Sequence, residues 1–199
     1  MTESEEYERR RTDVAAAVWR VLDQSGFAGL SMRAVARELD ATTGIVTHYF
    51  PSKWELTDYA LTLLAERSQA RARPDAAAGA DALRTTLLGM LPLDETSRAA
   101  SRIWVSSWDA ALADGRHAGQ HAERYRASRA TITALVTACL PDDQRAARRI
   151  DQIAETLHSF VLGMSVQAVL DPSAYPPERQ TALLDDLLSA THAELVGWG

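Results

Sequence analysis

The sequence predicts an all-α chain of about nine helices, and three observations predict it. Apolar residues recur at helical spacing through most of the chain. Strand-type alternation is nearly absent. Gly and Pro fall at intervals that read as helix boundaries. With 199 residues, 46% hydrophobic and 24% charged, the chain is ordinary for a globular protein and can bury a sizeable core.

The first helix covers about residues 5–25, where Val14, Val18, Val21 and Leu22 form one apolar stripe and Trp19 lies off its centre toward a neighbour. Gly26 ends it. Ser31 is a helix N-cap, its hydroxyl placed to accept from an orphan N–H of the next turn. Residues 32–39 follow, with Val35, Ala36 and Leu39 on one face. Asp40 and Ala41 make a turn. Thr42 or Thr43 caps a short third helix that ends near Phe50, and Pro51-Ser52 breaks it. Ser52 with Glu55 forms a capping box opening a fourth helix, from Lys53 to about Arg71. Five more helices cover 76–91, 94–114, 116–140, 142–170 and 177–196, separated by turn residues such as Pro92, Gly115 and Pro172.

Composition excludes several classes. The single cysteine, Cys139, allows no intrachain disulfide and fits a reducing compartment; on an apolar helix it reads as a small core residue. The N-terminal stretch is acidic and then basic, which is not a secretory signal. No apolar run approaches the roughly 20 residues that span a bilayer. The expectation is a cytoplasmic protein with no membrane partner. The net charge is −6, and residues 1–54 hold seven Lys/Arg against eight Asp/Glu, so they carry −1 of it. That argues against a protein that coats DNA non-specifically, which needs a dense basic face. A small reading head with a few placed contacts remains compatible.

The informative stretch is LSMRAVARELDATTGIVTHYFPSKWEL, residues 30–56. Two short helices around a tight turn, with small Ala36 at their crossing, make a helix-turn-helix. Ile45 and Phe50 are expected to face inward, and Thr43, Thr47 and His48 outward. A short helix with a polar, hydrogen-bonding outer face suits the major groove.

These residues resemble the DNA-binding domain of the tetracycline-repressor (TetR) family. The capped second helix, the group His48-Tyr49-Phe50 ending the third, then Pro51-Ser52-Lys53 and Leu56, carry the resemblance over about residues 10–60. The chain departs from the family at Thr47, where Tyr is common, and at Asp40, where Gly is usual. Asp tolerates a left-handed backbone, so the turn is expected to survive. Further along, residues 91–112 and 170–188 are similar to the choline-responsive repressors of betaine synthesis, a subgroup whose members respond to diverse effectors.

The resemblance implies an N-terminal three-helix DNA-reading domain, placed at 1–54, and a C-terminal ligand and dimerisation domain, placed at 55–199. It implies a sequence-specific regulator, a repressor released from a palindromic double-stranded operator by a small-molecule effector not yet identified, acting as a homodimer and needing no cofactor. Ser31 and Arg33 are then expected on phosphates, and Thr42 and Thr43 on phosphate or base edges. Gly44 lets the backbone approach DNA. Thr47 and His48 face base edges or thymine methyls. Tyr49 bonds a phosphate, and Lys53 adds its charge to a helix N-terminus.

In the C-terminal half, Trp104 and Trp108 share a helix face. Met90, His117, Tyr125, Phe160 and Met164, on other helices, are candidates to converge with them around a small ligand; Trp and Tyr faces suit a cationic or flat apolar molecule. An ordinary aromatic core explains the same residues. Ile150, Ile153, Leu157, Val161, Met164 and Ala168 form one stripe, and Leu183, Leu184, Leu187, Leu188 and Leu195 another. The two are expected to build a four-helix dimer interface. The competing readings are a helical small-molecule binder without DNA binding and a helical metal-dependent enzyme. The second rests only on His117 and His121, four residues apart, with no HExxH, CxxC or phosphate loop to support it, and no catalytic or metal-ligating residue is assigned.

Overall fold

A computed structural model describes residues 2–72, 79–140 and 150–196. The described residues form nine helices and no strand: α1 (Glu3–Gly29), α2 (Met32–Glu38), α3 (Thr43–Tyr49), α4 (Lys53–Ala72), α5 (Ala80–Gly89), α6 (Glu95–Ala113), α7 (Gly115–Ala138), α8 (Ile150–Leu170) and α9 (Pro177–Val196). The predicted helix starts at 76 and 142 lie outside the described residues.

The chain divides into two compact units, Met1–Arg67 with Arg102–Ala110, and Ser68–Ser101 with Ala111–Gly199. The first unit runs past residue 54 because the start of α4 packs within it. Leu56, Ala60 and Leu61 are fully buried, and the Trp19 indole N–H donates to the Ala60 carbonyl at 2.9 Å. Trp19 thus faces a neighbouring element, as its off-stripe position predicts. The stripe Val14, Val18, Val21 and Leu22 is buried throughout. The α1 helix breaks at Gly26, whose backbone (φ 61°, ψ −170°) is open essentially to glycine alone, and a further turn runs to Gly29.

In the second unit one core joins α5, α7, α8 and α9 through Leu83, Leu87, Ile132, Val136, Leu157, Val161 and Leu184. Arg84 on α5 grips Asp185 on α9 through two hydrogen bonds of 2.6 and 2.9 Å. Buried Gln180 donates to the Tyr175 carbonyl at 2.8 Å, closing the turn into α9. Cys139 packs half-buried against this core, and burial pushes its thiol pKa up, which disfavours the nucleophilic thiolate.

Two expectations are corrected here. The α8 stripe read as a dimer face is spent inside the chain, because Leu157, Val161, Met164 and Ala168 are the residues α8 buries in its own unit. On the other stripe Leu184 is buried and Leu183, Leu187 and Leu188 are half-buried, while the Leu195 side chain lies outside the described residues. Also, α8 has 21 residues and is apolar enough by length and composition to cross a membrane, although no such run was read from the sequence. Its buried residues include those of the core face just named, while Leu170, Asp151 and Glu155 are exposed.

Candidate nucleic-acid interface

The helix-turn-helix is α2 and α3, and each joint has an identifiable cause. The Ser31 hydroxyl accepts from the Ala34 N–H at 3.1 Å, capping α2 as predicted. Asp40 takes the left-handed backbone at φ 51°. Around it the Ala41 N–H donates to the Ala36 carbonyl at 2.9 Å and the Asp40 N–H to the Arg37 carbonyl at 3.2 Å. That pair of bonds is a Schellman ending, so Asp at this position still closes the turn. Thr42 caps α3 by backbone position, without a side-chain cap bond. Ser52 accepts from the Glu55 N–H at 3.1 Å and opens α4.

Two buried side chains seat α3. Val46 is 0% exposed and Phe50 is 1% exposed. They are four apart and share a helix face. Ile45 is 46% exposed, against the expectation that it would face inward. Position 45 is turned away from Phe50 by helical geometry, so the inward place falls to Val46. Phe50 lies against Tyr59, with ring centroids 5.2 Å apart. The Arg11 guanidinium sits 4.1 Å above the Tyr59 ring and 5.4 Å from that of Phe50. An Arg20–Glu38 ion pair at 2.6 Å joins α1 to α2.

What α3 leaves outside is a continuous exposed arc. Thr43, Gly44, Ile45, Thr47 and His48 are all exposed, as are Ser31, Arg33, Thr42 and Lys53 around it, while Tyr49 is half-buried. The Thr47 hydroxyl donates back to its own helix, 3.1 Å from the carbonyls of both Thr43 and Gly44. Its methyl and its acceptor lone pairs are therefore what a partner meets. Sequence reasoning missed Tyr7. Its ring lies 5.0 Å from Tyr49 and 6.3 Å from His48, which in turn stand 4.9 Å apart. The first turns of α1 thereby brace the end of α3. A tyrosine seven residues before the first apolar stripe residue carries no motif that would have flagged it.

Gly44 has no folding reason to be glycine. Its φ is not positive, and an added Cβ would meet only the Thr42 hydroxyl, at 3.7 Å, which is ordinary contact. Glycine in a helix costs up to about 1 kcal/mol relative to alanine. The absent side chain therefore favours the approach of something outside the chain. We expect Gly44→Ala to leave thermal stability unchanged or slightly raised while weakening binding to the chain's DNA site. A variant that melts lower, or that binds DNA as the parent does, would contradict this.

The candidate ligand residues are divided. Met90, Tyr125, Phe160 and Met164 belong to the second unit, where Met164 is buried in the core and Met90 and Phe160 pack half-buried against it. Trp104 and Trp108 lie on the part of α6 that groups with the first unit. Tyr125 sits between two buried imidazoles, 5.7 Å from His121 and 5.8 Å from His158. His117 is half-buried, 3.8 Å from the Asp114 carboxylate. Among the described residues no three His, Cys, Asp or Glu side chains are grouped to hold a metal ion.

Burial, aided by Arg124 and His117, pushes His121 down to about 4; burial and Arg129 lower His158 as well. The unfolded chain protonates histidine near pH 6.5. Between there and about pH 4 it binds protons that the folded chain does not, so stability falls as pH falls. His121 alone is expected to remove up to about 2 kcal/mol by pH 5. Denaturant titrations at pH 7.5 and 5 should find a smaller loss in His121→Phe than in the parent. Equal losses would show that His121 is not the group responsible.

Comparison with known proteins gives the following. Residues 14–60 match the family model of bacterial regulatory proteins of the tetR family, and residues 78–193 match that of the BetI-type transcriptional repressor, C-terminal. The chain is 30% identical over 175 residues to the HTH-type transcriptional regulator PksA of Bacillus subtilis (strain 168), covering 84% of this chain and 82% of that protein. It is 31% identical over 109 residues to the HTH-type transcriptional regulator BetI of Paraburkholderia phytofirmans, covering 53% of this chain and 56% of the relative. The crystal structure of a transcriptional regulator from Rhodococcus sp. Rha1 superposes with a TM-score of 0.80 at 25% identity, covering 90% of this chain and 94% of that one.

Proposed function

Because the chain belongs to the TetR family of bacterial transcriptional regulators, with a BetI-type C-terminal domain, we propose that it represses transcription by seating the exposed arc of α3 in the major groove of a palindromic operator. It is a DNA-binding regulator of the repressor type and not an enzyme. Regulators of this family bind DNA and typically act as dimers with small-molecule effectors.

The observation that carries the reading is the pairing of a buried seat with a bare reading face. Val46 and Phe50 fix α3 from beneath, and Gly44 stands at the middle of the arc with no internal reason to lack a side chain. Thr43 and Thr47 flank it on one side, His48 and Ile45 on the other. Ser31, Arg33, Thr42, Tyr49 and Lys53 are assigned to the phosphates, which fix register without reading sequence. Residues 1–54 read DNA, and residues 55–199 bind effector and dimerise. The effector contacts are assigned to Met90, Tyr125, Phe160 and Met164, which share the second unit, and the half-buried leucines of α9 to the two-fold interface. A two-fold dimer places its reading helices about 34–36 Å apart, one turn of DNA. The protein then works in the bacterial cytoplasm, where its operator is.

Selection of bound duplexes from a random pool, with full-length protein at near-physiological salt, tests this. A palindrome with half-sites one helical turn apart is expected. Enrichment of unrelated sequences at the background rate, with binding that tracks only salt concentration, would overturn sequence-specific reading.

A further inference from the structure

We propose that Ile45 is a specificity-determining residue, recognising the C5-methyl group of a thymine in each operator half-site. The inference rests on the α3 reading above and adds to it a base identity. Ile45 is 46% exposed on an arc whose other members are polar or glycine, and its neighbour Val46 is entirely buried. A single exposed apolar side chain is common on any surface. This one stands beside Gly44, where the missing side chain lets the helix backbone come close to a partner, and one turn before His48. In the major groove the thymine methyl is the one alkyl group on a base edge; the groups that distinguish the other bases are hydrogen-bond donors and acceptors. An isoleucine pressed against any other base edge would strip water from a polar group and return no hydrogen bond. Ile is also stiff at its first side-chain torsion in a helix, so ordering it on DNA loses little freedom. Thr47 adds to the same style of reading, because its hydroxyl proton is already given to its own helix.

The test uses the selected operator with each half-site thymine replaced in turn by deoxyuridine, which removes the methyl and keeps every hydrogen-bonding group. The parent protein should lose affinity at one thymine per half-site, by about fourfold for each methyl. Ile45→Ala should bind the unmodified operator more weakly by at least that factor and be indifferent to uracil at that position. Since Ile45 is exposed, the variant should melt with the parent. Equal uracil penalties in both proteins at every position would overturn the assignment to Ile45 while leaving DNA reading intact. So would a selected half-site without thymine. Failure to select any operator would remove the assignment together with the reading beneath it.

Discussion

Replacing Phe50 by alanine is expected to lower the unfolding free energy by about 3–5 kcal/mol, the range for deleting a buried aromatic ring. Phe50 is 1% exposed, ends α3, and lies against the ring of Tyr59 and near the guanidinium of Arg11. Removing the ring takes away the floor of α3 and leaves a cavity that Val46 cannot fill. Since a domain is commonly stable by about 5–15 kcal/mol, the loss is a large fraction of the whole. Urea titration should find a lower midpoint at an unchanged slope. Phe50→Leu keeps most of the volume and should lose much less. A loss under about 1 kcal/mol in the alanine variant would mean that α3 is held by contacts other than this seat.

The second large effect concerns binding. Thr47→Ala and His48→Ala are each expected to weaken operator binding by about 1–3 kcal/mol without unfolding the chain, since both side chains are exposed. The two should differ in kind. Thr47 offers a methyl and an acceptor, so its loss should be felt as relaxed preference at one or two base pairs. His48 also stacks edge-on against Tyr49, so its removal should disturb a phosphate contact and reduce affinity more evenly across sequences. Competition with mutated duplexes separates these patterns. Parent-like affinity for the operator in both variants would show that the reading face lies elsewhere.

Most of the fold was legible in the sequence because its helices are marked at both ends. Ser31, Ser52, Gly26 and the prolines near residue 172 are local signals, and local geometry obeyed them. The left-handed turn at Asp40 was legible for the same reason. The misreading of Ile45 has a simple origin. Ile and Val sit side by side, both apolar, and only the 100° step of a helix decides which faces the core; in a seven-residue helix that step was not anchored until Phe50 was placed. The α8 stripe was misassigned because periodicity reports that a face is buried and does not report whether the burying surface is in the same chain. Tyr7 was invisible, since a contact between helices some forty residues apart leaves no trace in spacing. The ligand residues show the opposite limit. Aromatic composition names them, yet composition is the same for a lined cavity and a filled core.

The bracing of His48 and Tyr49 by Tyr7 bears on how regulators of this kind are compared. The matched helix-turn-helix region begins at residue 14, after the brace. Two proteins with the same letters from 31 to 53 but different residues at position 7 therefore hold the end of the reading helix differently. Operator preferences inferred by motif identity alone would be transferred wrongly between them. Grafting the motif onto another scaffold would carry the alphabet without the grip that orients it.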